Sequence, residues 1–407
     1  MQVSPLSVEQ AIRSIQQQTP VGAIEKVAIS ESYARILAED LASRVDHPSV
    51  DNSALDGYAC RERDTLSATQ DHPITLKLIG EVPAGRHFDG FVGRGQAVGI
   101  YTGAPVPRGA DAIVPVEVTR ESEDTVVIRR PARPSDIRPR AQDLKCGETY
   151  LRAGQELTAS TLGLAAAMGY AELQVVEKPR IGILSTGDEV VEPGEELYLG
   201  QVYNANSYSL AGMVHRAGAL PVLLPSVQDD LNHLENALDR AGPLDLLLTT
   251  GGVSMGKYDF VRDLLFEQGE VLFWKVAMKP GGPVLFGRWR ERLVLGLPGN
   301  PVSCMVGFLL LGRAFTDGFL RRLSPLPYQQ RLTATASQVF RASGFKETFQ
   351  RVVLTHEVGG PMVSSTGNQS SGVLNSMATA RALAVLPPHA TVHEGERLEV
   401  IPLGPHL

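Results

Sequence analysis

The chain contains few cysteines, and their spacing excludes two common kinds of site. Its 407 residues include only Cys60, Cys146 and Cys304, which are far apart and form no CxxC pair. Widely separated cysteines are typical of a reducing compartment and predict neither a disulfide framework nor a zinc site. We therefore expect a cytoplasmic protein.

The chain also lacks a strong excess of charge and a long apolar run. Its 38 basic and 45 acidic side chains give a formal net charge of −7, so neither nucleic acid nor an anionic membrane is expected as a partner. The first residues show no basic segment followed by an apolar one, and a signal peptide is not predicted. The strongest apolar run, 305–311, is far shorter than the ~20 residues that span a bilayer. Any bound anion must therefore be held by a local cluster of cations and backbone amides.

Three segments before residue 178 predict helices. Residues 7–18 predict a helix with Ser7 as its N-cap, and 30–41 predict a second helix. The small-residue segment 159–169 predicts a third. Between about 48 and 140, short β-rich runs alternate with Gly and Pro, which is typical of an all-β module.

From residue 178 to about 315, apolar strands alternate with helices. One of these helices is expected from Asp229 to Arg240, with Asp229 or Asp230 as its N-cap. Asn300 followed by Pro301 predicts the start of a final apolar helix. Near-continuous apolar strands joined by helices favour a doubly wound, mostly parallel sheet.

These patterns predict a multidomain α/β plus β fold with four units. The first is a helical linking unit made of residues 1–47 and 141–177, of which part of 27–47 can pack on the α/β unit. The others are an inserted β-rich module at 48–140, the α/β unit at 178–326 and a small C-terminal β unit at 327–407.

Three small-residue loops follow strands of the predicted α/β unit. Glycine lets the backbone approach a ligand closely, and free amides at the start of a helix favour a bound anion. A single loop of this kind has about even odds of being a tight turn only. Three loops at the carboxyl edge of one sheet favour a shared pocket. Their candidate binding residues are Thr186, Gly187, Thr250, Gly251, Gly252, Ser254, Pro298, Gly299, Asn300 and Pro301.

Charged residues lie near the same predicted edge. Lys275 and Lys279 are four residues apart, and Asp188, Glu189 and Asp259 belong to loops on that side. Oxygen ligands of this kind suit Mg²⁺, which commonly joins carboxylates to substrate phosphates. Taken singly, each lysine is more often a solvated group and each carboxylate a helix cap or surface group.

Seven motifs follow one another in order along the chain. They are DNSALDGYA (51–59), YTGAPVPRGADAIVPVE (101–117), LSTGDEV (184–190), TTGGVSMGKYD (249–259), WKVAMKPG (274–281), GLPGNPVS (296–303) and SSGVLNSMATARALAVLP (370–387). In order and spacing they resemble the molybdopterin molybdenumtransferase family, which includes the C-terminal part of gephyrin. The resemblance covers the whole chain.

The resemblance implies a reaction and an assembly. The expected substrates are adenylylated molybdopterin and molybdate, and Mg²⁺ or a similar divalent ion assists. In the implied reaction the pyrophosphate bond is cleaved, AMP leaves and molybdenum is bound to the dithiolene. An elongated subunit and a head-to-tail homodimer are implied, in which the α/β unit of one subunit faces the β module of the other. Transient contact with the adenylyltransferase that precedes this step, and with recipient molybdoenzymes, is also expected.

The matching motifs also imply roles for single residues. Asp56, Asp143, Glu189 and Asp259 are the expected catalytic acids, and Asp56 and Glu189 are also the expected metal ligands. Lys275, Lys279 and Arg138 are hypothetical holders of molybdate, with Thr102 and Ser254 as neutral donors. The substrate-binding set also takes in Asp229 and the loop residues named above.

The chain departs from the family pattern at three places. Gly282 stands where a lysine is usual, 140–142 replaces a Gly–Glu pair, and Arg381 stands where asparagine is common. The loss of a cation at Gly282 leaves open a paralogue with altered oxyanion preference, for instance for tungstate. Two alternatives therefore stay open. One is the preceding adenylyltransferase, whose α/β domain alone would end near residue 320, and the other is a weakened binding or scaffold protein.

Overall fold

The computed structural model of the chain describes residues 4–225, 235, 240, 242–253 and 260–404. Asp229, Ser254 and Asp259, three of the predicted site residues, lie outside the described residues. The same is true of the predicted helix from 229 to 240, apart from its residues 235 and 240.

The helices begin largely where the sequence predicts. Ser7 caps the first one: its Oγ accepts a hydrogen bond from the Gln10 amide, and the Gln10 side chain accepts one from the Ser7 amide. The α-helices of the described chain are α1 (Val8–Gln18), α2 (Ala159–Ala167), α3 (Ala205–Arg216), α4 (Phe260–Gln268), α5 (Pro301–Gly307), α6 (Arg313–Phe319) and α7 (Asn375–Thr379).

The two segments of the linking unit, which precede and follow the inserted module in sequence, pair with each other. Strand β1 (Ile24–Ala28) runs antiparallel to β12 (Glu172–Val176), and β2 (Leu41–Ala42) runs antiparallel to β11 (Thr149–Leu151). Helix α1 instead packs against α6. The two ends of the linking unit are thus joined by backbone hydrogen bonds.

The predicted helix at 30–41 is wrong. The segment holds only a 3₁₀ turn, Ile29–Glu31, and Ala34 has a positive φ of 58°. The Leu37 amide donates to Gln155 O at 2.9 Å, and the Val176 amide donates to Ile36 O at 2.9 Å. The backbone is therefore engaged by distant strands, and this pairing overrides the local helical preference.

The inserted module is a β-sheet with a short accessory ribbon. Its six strands lie in the order β7-β4-β6-β5-β9-β8, and β3 pairs with β10 beside them. The strands are β3 (Asn52–Ser53), β4 (Gly57–Cys60), β5 (Ile74–Val82), β6 (Gln96–Ile100), β7 (Ala112–Pro115), β8 (Thr119–Ser122), β9 (Thr125–Ile128) and β10 (Ile137–Arg138).

The α/β unit has a sheet whose first four strands are parallel. The order is β16-β13-β17-β21-β20-β18, and β20 and β18 add antiparallel strands at one side. The strands are β13 (Arg180–Ser185), β16 (Leu220–Leu223), β17 (Leu246–Thr250), β18 (Glu270–Trp274), β20 (Leu285–Trp289) and β21 (Arg292–Leu297), with β14 (Val190–Val191) and β15 (Val202–Tyr203) paired outside it.

The helical segment Pro301–Phe319 forms the centre of the largest core. A π-helical turn, Phe308–Gly312, joins α5 to α6. The segment has the length and apolar composition of a membrane-spanning helix, yet 89% of its most apolar window is buried inside the protein. Its burial is that of a core helix.

A buried ion network ties this helix to the linking unit. The Asp317 carboxylate accepts hydrogen bonds from Arg313 and from Arg322, each at 3.1 Å, and Arg322 also pairs with Glu156. Burial raises the pKa of the Asp317 carboxyl, and the two arginines oppose that shift. Removal of the Asp317 carboxylate would leave two largely buried guanidinium groups without this negative partner.

The C-terminal strands close on themselves. The sheet runs β19-β24-β25-β22-β28-β26, and a further pairing of β26 with β24 completes a closed circuit of five strands. Strand β19 comes from the α/β segment and lies parallel to β24. The strands are β19 (Met278–Lys279), β22 (Leu332–Ala336), β23 (Phe340–Arg341), β24 (Glu347–Glu357), β25 (Gly360–Ser365), β26 (Ala382–Leu386), β27 (Thr391–Val392) and β28 (Arg397–Pro402).

Candidate functional site

The three small-residue loops meet at the carboxyl edge of the parallel strands, as predicted. The Thr186 amide donates to Thr250 O at 3.1 Å, and the Gly251 amide donates to Leu297 O at 3.0 Å. A Cβ on Gly299 would lie 3.6 Å from the Gly251 Cα. The loops therefore form one continuous backbone surface.

Gly251 is required at its position for two reasons. Its φ is +97°, which side chains of L-residues rarely adopt, and an added Cβ would lie 2.9 Å from Thr186 O. Its neighbour Gly252 has a φ of +64°. The close approach of two loops thus depends on the absence of side chains here.

A cavity of about 1090 Å³ opens beside these loops. One wall is formed by Gly251, Gly252, Gly299 and the turn at 278–283. The facing wall is formed by residues 341, 343–346, 348–351 and 368–371 of the C-terminal unit. Such a volume is slightly above the usual range for small-molecule sites, about 300–1,000 Å³. The cavity thus lies between the α/β unit and the C-terminal unit.

The cavity is lined by cations. Lys279, Arg341, Lys346 and Arg351 contribute to its wall, and none of its lining residues in the described chain is acidic. The protein as a whole carries a net charge of −7, so this local excess is opposite in sign to the overall charge. It favours an anionic occupant.

Arg351 is the most constrained of these cations. Its side chain is 1% exposed, and it donates from Nε to Ser376 Oγ at 3.0 Å and from Nη2 to the carbonyl oxygens of Asn368 and Ser370 at 3.2 and 2.9 Å. No carboxylate of the described chain pairs with it. Burial lowers its pKa. An anion in the adjoining cavity would stabilise a buried, oriented guanidinium that has no carboxylate partner.

The two predicted lysines differ in their surroundings. Lys279 lines the cavity and donates from Nζ to Ser343 Oγ at 3.0 Å. Lys275 is not among the lining residues and has a positive φ of 74°, with Nζ 4.1 Å from the centroid of the Trp274 ring. The Trp274 indole N–H donates to Val253 O at 3.2 Å, next to the Gly-rich loop.

Asp56 is held by a threonine in the inserted module. Its Oδ1 accepts hydrogen bonds from the Thr102 amide at 2.7 Å and from Thr102 Oγ1 at 2.8 Å. These two donors lower the pKa of the Asp56 carboxyl. Within the described chain Oδ2 accepts no hydrogen bond, so it is available to a ligand.

Arg138 and Asp143 lie elsewhere in the same region. Arg138 donates from Nη2 to Ser53 O at 3.0 Å, while its buried Nε has no partner among the described residues. The Asp143 amide donates to His47 O at 3.0 Å. Together with Asp56 they are absent from the described wall of the cavity.

The Glu189 carboxylate folds back over a glycine of the first loop. An added Cβ on Gly187 would lie 2.7 Å from Glu189 Oε2. In the described residues no group of three or more His, Cys, Asp or Glu side chains lies close enough together to hold a metal ion. Asp56 and Glu189 are therefore not brought into such a cluster within the described part of one chain.

The structure places the predicted residues in two regions. Gly251, Gly252, Lys279, Pro298, Gly299 and Asn300 line the cavity, with Thr186 and Thr250 directly behind them. Sequence reasoning missed Arg341, Lys346 and Arg351. For Arg351 the sequence does contain a signal. It lies in the run 349–354, in which every other residue except Gln350 is apolar.

Three family models match consecutive parts of the chain. They are the MoeA N-terminal region (domains I and II) at residues 6–169, the probable molybdopterin binding domain at 182–317 and the MoeA C-terminal region (domain IV) at 333–403. Their order confirms the resemblance inferred from the motifs.

Individual proteins match over nearly the full length. The chain is 39% identical to molybdopterin molybdenumtransferase 2 of Mycobacterium tuberculosis over 92% of this chain and 94% of that protein. It is 33% identical to the molybdopterin molybdenumtransferase of Bacillus subtilis over 97% and 93%. The crystal structure of the molybdopterin biosynthesis MoeA protein of Pyrococcus horikoshii OT3 superimposes with a TM-score of 0.82 at 28% identity, covering 98% of this chain and 99% of that one. The predicted fold class is confirmed.

Proposed function

The chain belongs to the molybdopterin molybdenumtransferase family, which consists of transferases of molybdenum cofactor biosynthesis, and from this premise we propose that it inserts molybdenum from molybdate into adenylylated molybdopterin with release of AMP. The observation that carries the proposal is the cation-lined cavity between the α/β and C-terminal units. Molybdate is a dianion, and the cavity offers Lys279 and the buried Arg351 without a described acid in its wall.

The loops at the sheet edge suit the pyrophosphate. When the bond between AMP and the pterin phosphate breaks, negative charge grows on the oxygens of both phosphates. The glycines at 251, 252 and 299 lack side chains, so the backbone there can approach these oxygens closely. We infer that the pyrophosphate lies against these loops and the oxyanion deeper in the cavity.

Asp56 fits a metal ligand better than a general base. Its two hydrogen bonds from Thr102 keep it ionised and lower its proton affinity. Its Oδ2 is open to a ligand. Mg²⁺ commonly binds one or two carboxylates together with substrate phosphates, so Asp56, with Glu189 as the second candidate, would hold it and neutralise charge on the pyrophosphate.

A second copy of the chain completes the site in this proposal. Asp56, Thr102 and Arg138 do not line the described wall of their own chain's cavity. A head-to-tail homodimer would place the inserted module of one subunit over the cavity of the other. We also propose a cytoplasmic protein that contacts the preceding adenylyltransferase and recipient molybdoenzymes, with the unit boundaries given above.

The test is a single-turnover reaction. Purified full-length protein would be incubated with adenylylated molybdopterin, Mg²⁺ and molybdate, and AMP release and pterin-bound molybdenum would be measured. We expect both to require molybdate and to be lost in Asp56→Ala, whereas Asp71→Ala, at an exposed carboxylate of the same module, behaves as wild type. If AMP stays bound to the pterin at every molybdate and tungstate concentration, the proposal is wrong and a scaffold or adenylyltransferase role takes its place.

A further inference from the structure

The turn at 276–283 presents bare backbone to the cavity. Gly282 lines the cavity, and a Cβ built on it would lie 3.0 Å from Met278 O and 3.2 Å from Val276 O. The same Cβ would lie 3.9 Å from the Nζ of Lys346. The space next to this turn is thus occupied by an ammonium group from the C-terminal unit.

Lys346 is fixed in place by the pairing of two units. The Glu347 amide donates to Ala277 O at 3.0 Å, and Lys279 is in register with Thr348 in the parallel pairing of β19 and β24. Thr348 Oγ1 donates to Lys346 O at 3.1 Å. The backbone that directly follows Lys346 is therefore paired with the turn that carries Lys279 and Gly282.

Alternation along the strand separates the charges. The Glu347 carboxylate accepts hydrogen bonds from Tyr328 at 3.0 and 3.1 Å and from Arg331 at 3.3 Å, and it does not line the cavity. Lys346, one residue earlier, faces the cavity. Within the described chain Lys346 forms no ion pair. Its charge is therefore left to act on whatever occupies the cavity.

We propose that Lys346 is an oxyanion-binding residue that sets the preference of the cavity for dianions. It binds a tetrahedral dianion together with Lys279 over the bare backbone of Gly282. An ammonium group has three donors on a flexible stem and acts as a point charge. Selection therefore follows the charge of the ion more than its shape. The inference rests on the proposed function for the identity of the physiological ion.

The test compares ions of equal geometry and unequal charge. Binding of molybdate, tungstate and perrhenate, the last a tetrahedral monoanion, would be measured by calorimetry on the full-length protein and on three variants: Lys346→Gln, Lys346→Arg and Lys77→Gln. Lys77 is an exposed lysine of the inserted module and serves as the charge-matched control.

We expect Lys346→Gln to raise the Kd of both dianions about 10-fold, the typical effect of one lost charge-assisted hydrogen bond. Since a Coulomb energy scales with the charge of the ion, the Kd of the monoanion perrhenate should rise only about threefold. Lys346→Arg should keep the dianion preference, and Lys77→Gln should bind as wild type. A substitution that only disturbed the structure would weaken the binding of all three ions equally, because they share one geometry.

Each outcome separates this inference from the proposed reaction. Equal dianion affinity in Lys346→Gln and wild type overturns the role of Lys346, and wild-type AMP release would still support the reaction. An equal loss for all three ions, or no oxyanion binding by wild type, also overturns it. A selective loss of dianion binding in a protein that releases no AMP supports the role of Lys346 while refuting the reaction.

Discussion

Replacement of Arg351 by methionine should separate ligand binding from stability. The guanidinium is 1% exposed and donates three hydrogen bonds, to Ser376 Oγ and to the carbonyl oxygens of Asn368 and Ser370. Methionine fills a similar volume without charge or donors. The substitution therefore removes the buried cation of the cavity and leaves the fold of β24 otherwise unchanged.

The effect on stability is small because two contributions oppose each other. Loss of three hydrogen bonds from a charged group, at about 1.5 kcal/mol each, destabilises the folded state by about 4.5 kcal/mol. Removal of a buried charge that has no carboxylate partner relieves a desolvation cost of several kcal/mol. We expect the free energy of unfolding to change by less than about 2 kcal/mol.

The effect on oxyanion binding has no such compensation. A hydrogen bond to a charged partner contributes about 1.5–3 kcal/mol, which corresponds to a rise in Kd of roughly 10- to 150-fold. Calorimetric titration with molybdate and urea-induced unfolding would measure the two quantities on the same samples. Arg397→Met, at an exposed arginine of β28, is the matched control and should change neither.

Two results would refute this reasoning. If Arg351→Met binds molybdate with wild-type affinity, the buried guanidinium does not act on the ligand. If urea titration shows that the free energy of unfolding falls by far more than about 2 kcal/mol, the guanidinium is chiefly a structural group.

Three further substitutions test other features. Thr102→Val removes one of the donors that lower the pKa of Asp56, so this pKa should rise in the variant. Activity that needs the ionised carboxylate is lost as pH falls through its pKa. The acid limb of the pH–rate profile should therefore move to higher pH. An unchanged limb would exclude Asp56 as its origin. Gly251→Ala should abolish AMP release, because its Cβ would lie 2.9 Å from Thr186 O at a φ of +97°; wild-type turnover would show that the loops need not approach so closely. Asp317→Ala leaves its two partner arginines largely buried without it and should lower the free energy of unfolding by about 3–5 kcal/mol, measured by urea titration; a change below 1 kcal/mol would contradict the network.

Local signals predicted the parts of the fold that depend on neighbours in sequence. The Ser7 cap and the Asn300–Pro301 helix start are both present. Ser7 satisfies an amide within the next turn, and the proline at the first helical position marks the second start without a side-chain bond from Asn300. The segment 30–41 shows the limit. Leu37 and Leu41 are four residues apart, which is a helical spacing. Both are buried, however, and they pair with residues more than 100 positions away, and such partners leave no periodic signal.

The same limit applied to the cavity. Its glycine loops and Lys279 were predicted because parallel strands bring their carboxyl ends to one edge. Lys346 and Arg351 were not, since their position depends on β24 lying alongside β19, a pairing of residues about 70 apart. Alternation alone does not reveal which neighbour a strand will take.

The two-residue strand β19 limits how the protein can be divided or extended. Met278 and Lys279 come from the middle of the α/β segment but belong to the C-terminal sheet. A fragment ending at 326 would expose that strand edge, and a fragment starting at 327 would lack its outer strand. Reporter or affinity insertions are therefore better placed in the hairpin between β24 and β25, where Val358 is fully exposed and a Cβ on Gly359 or Gly360 would touch nothing.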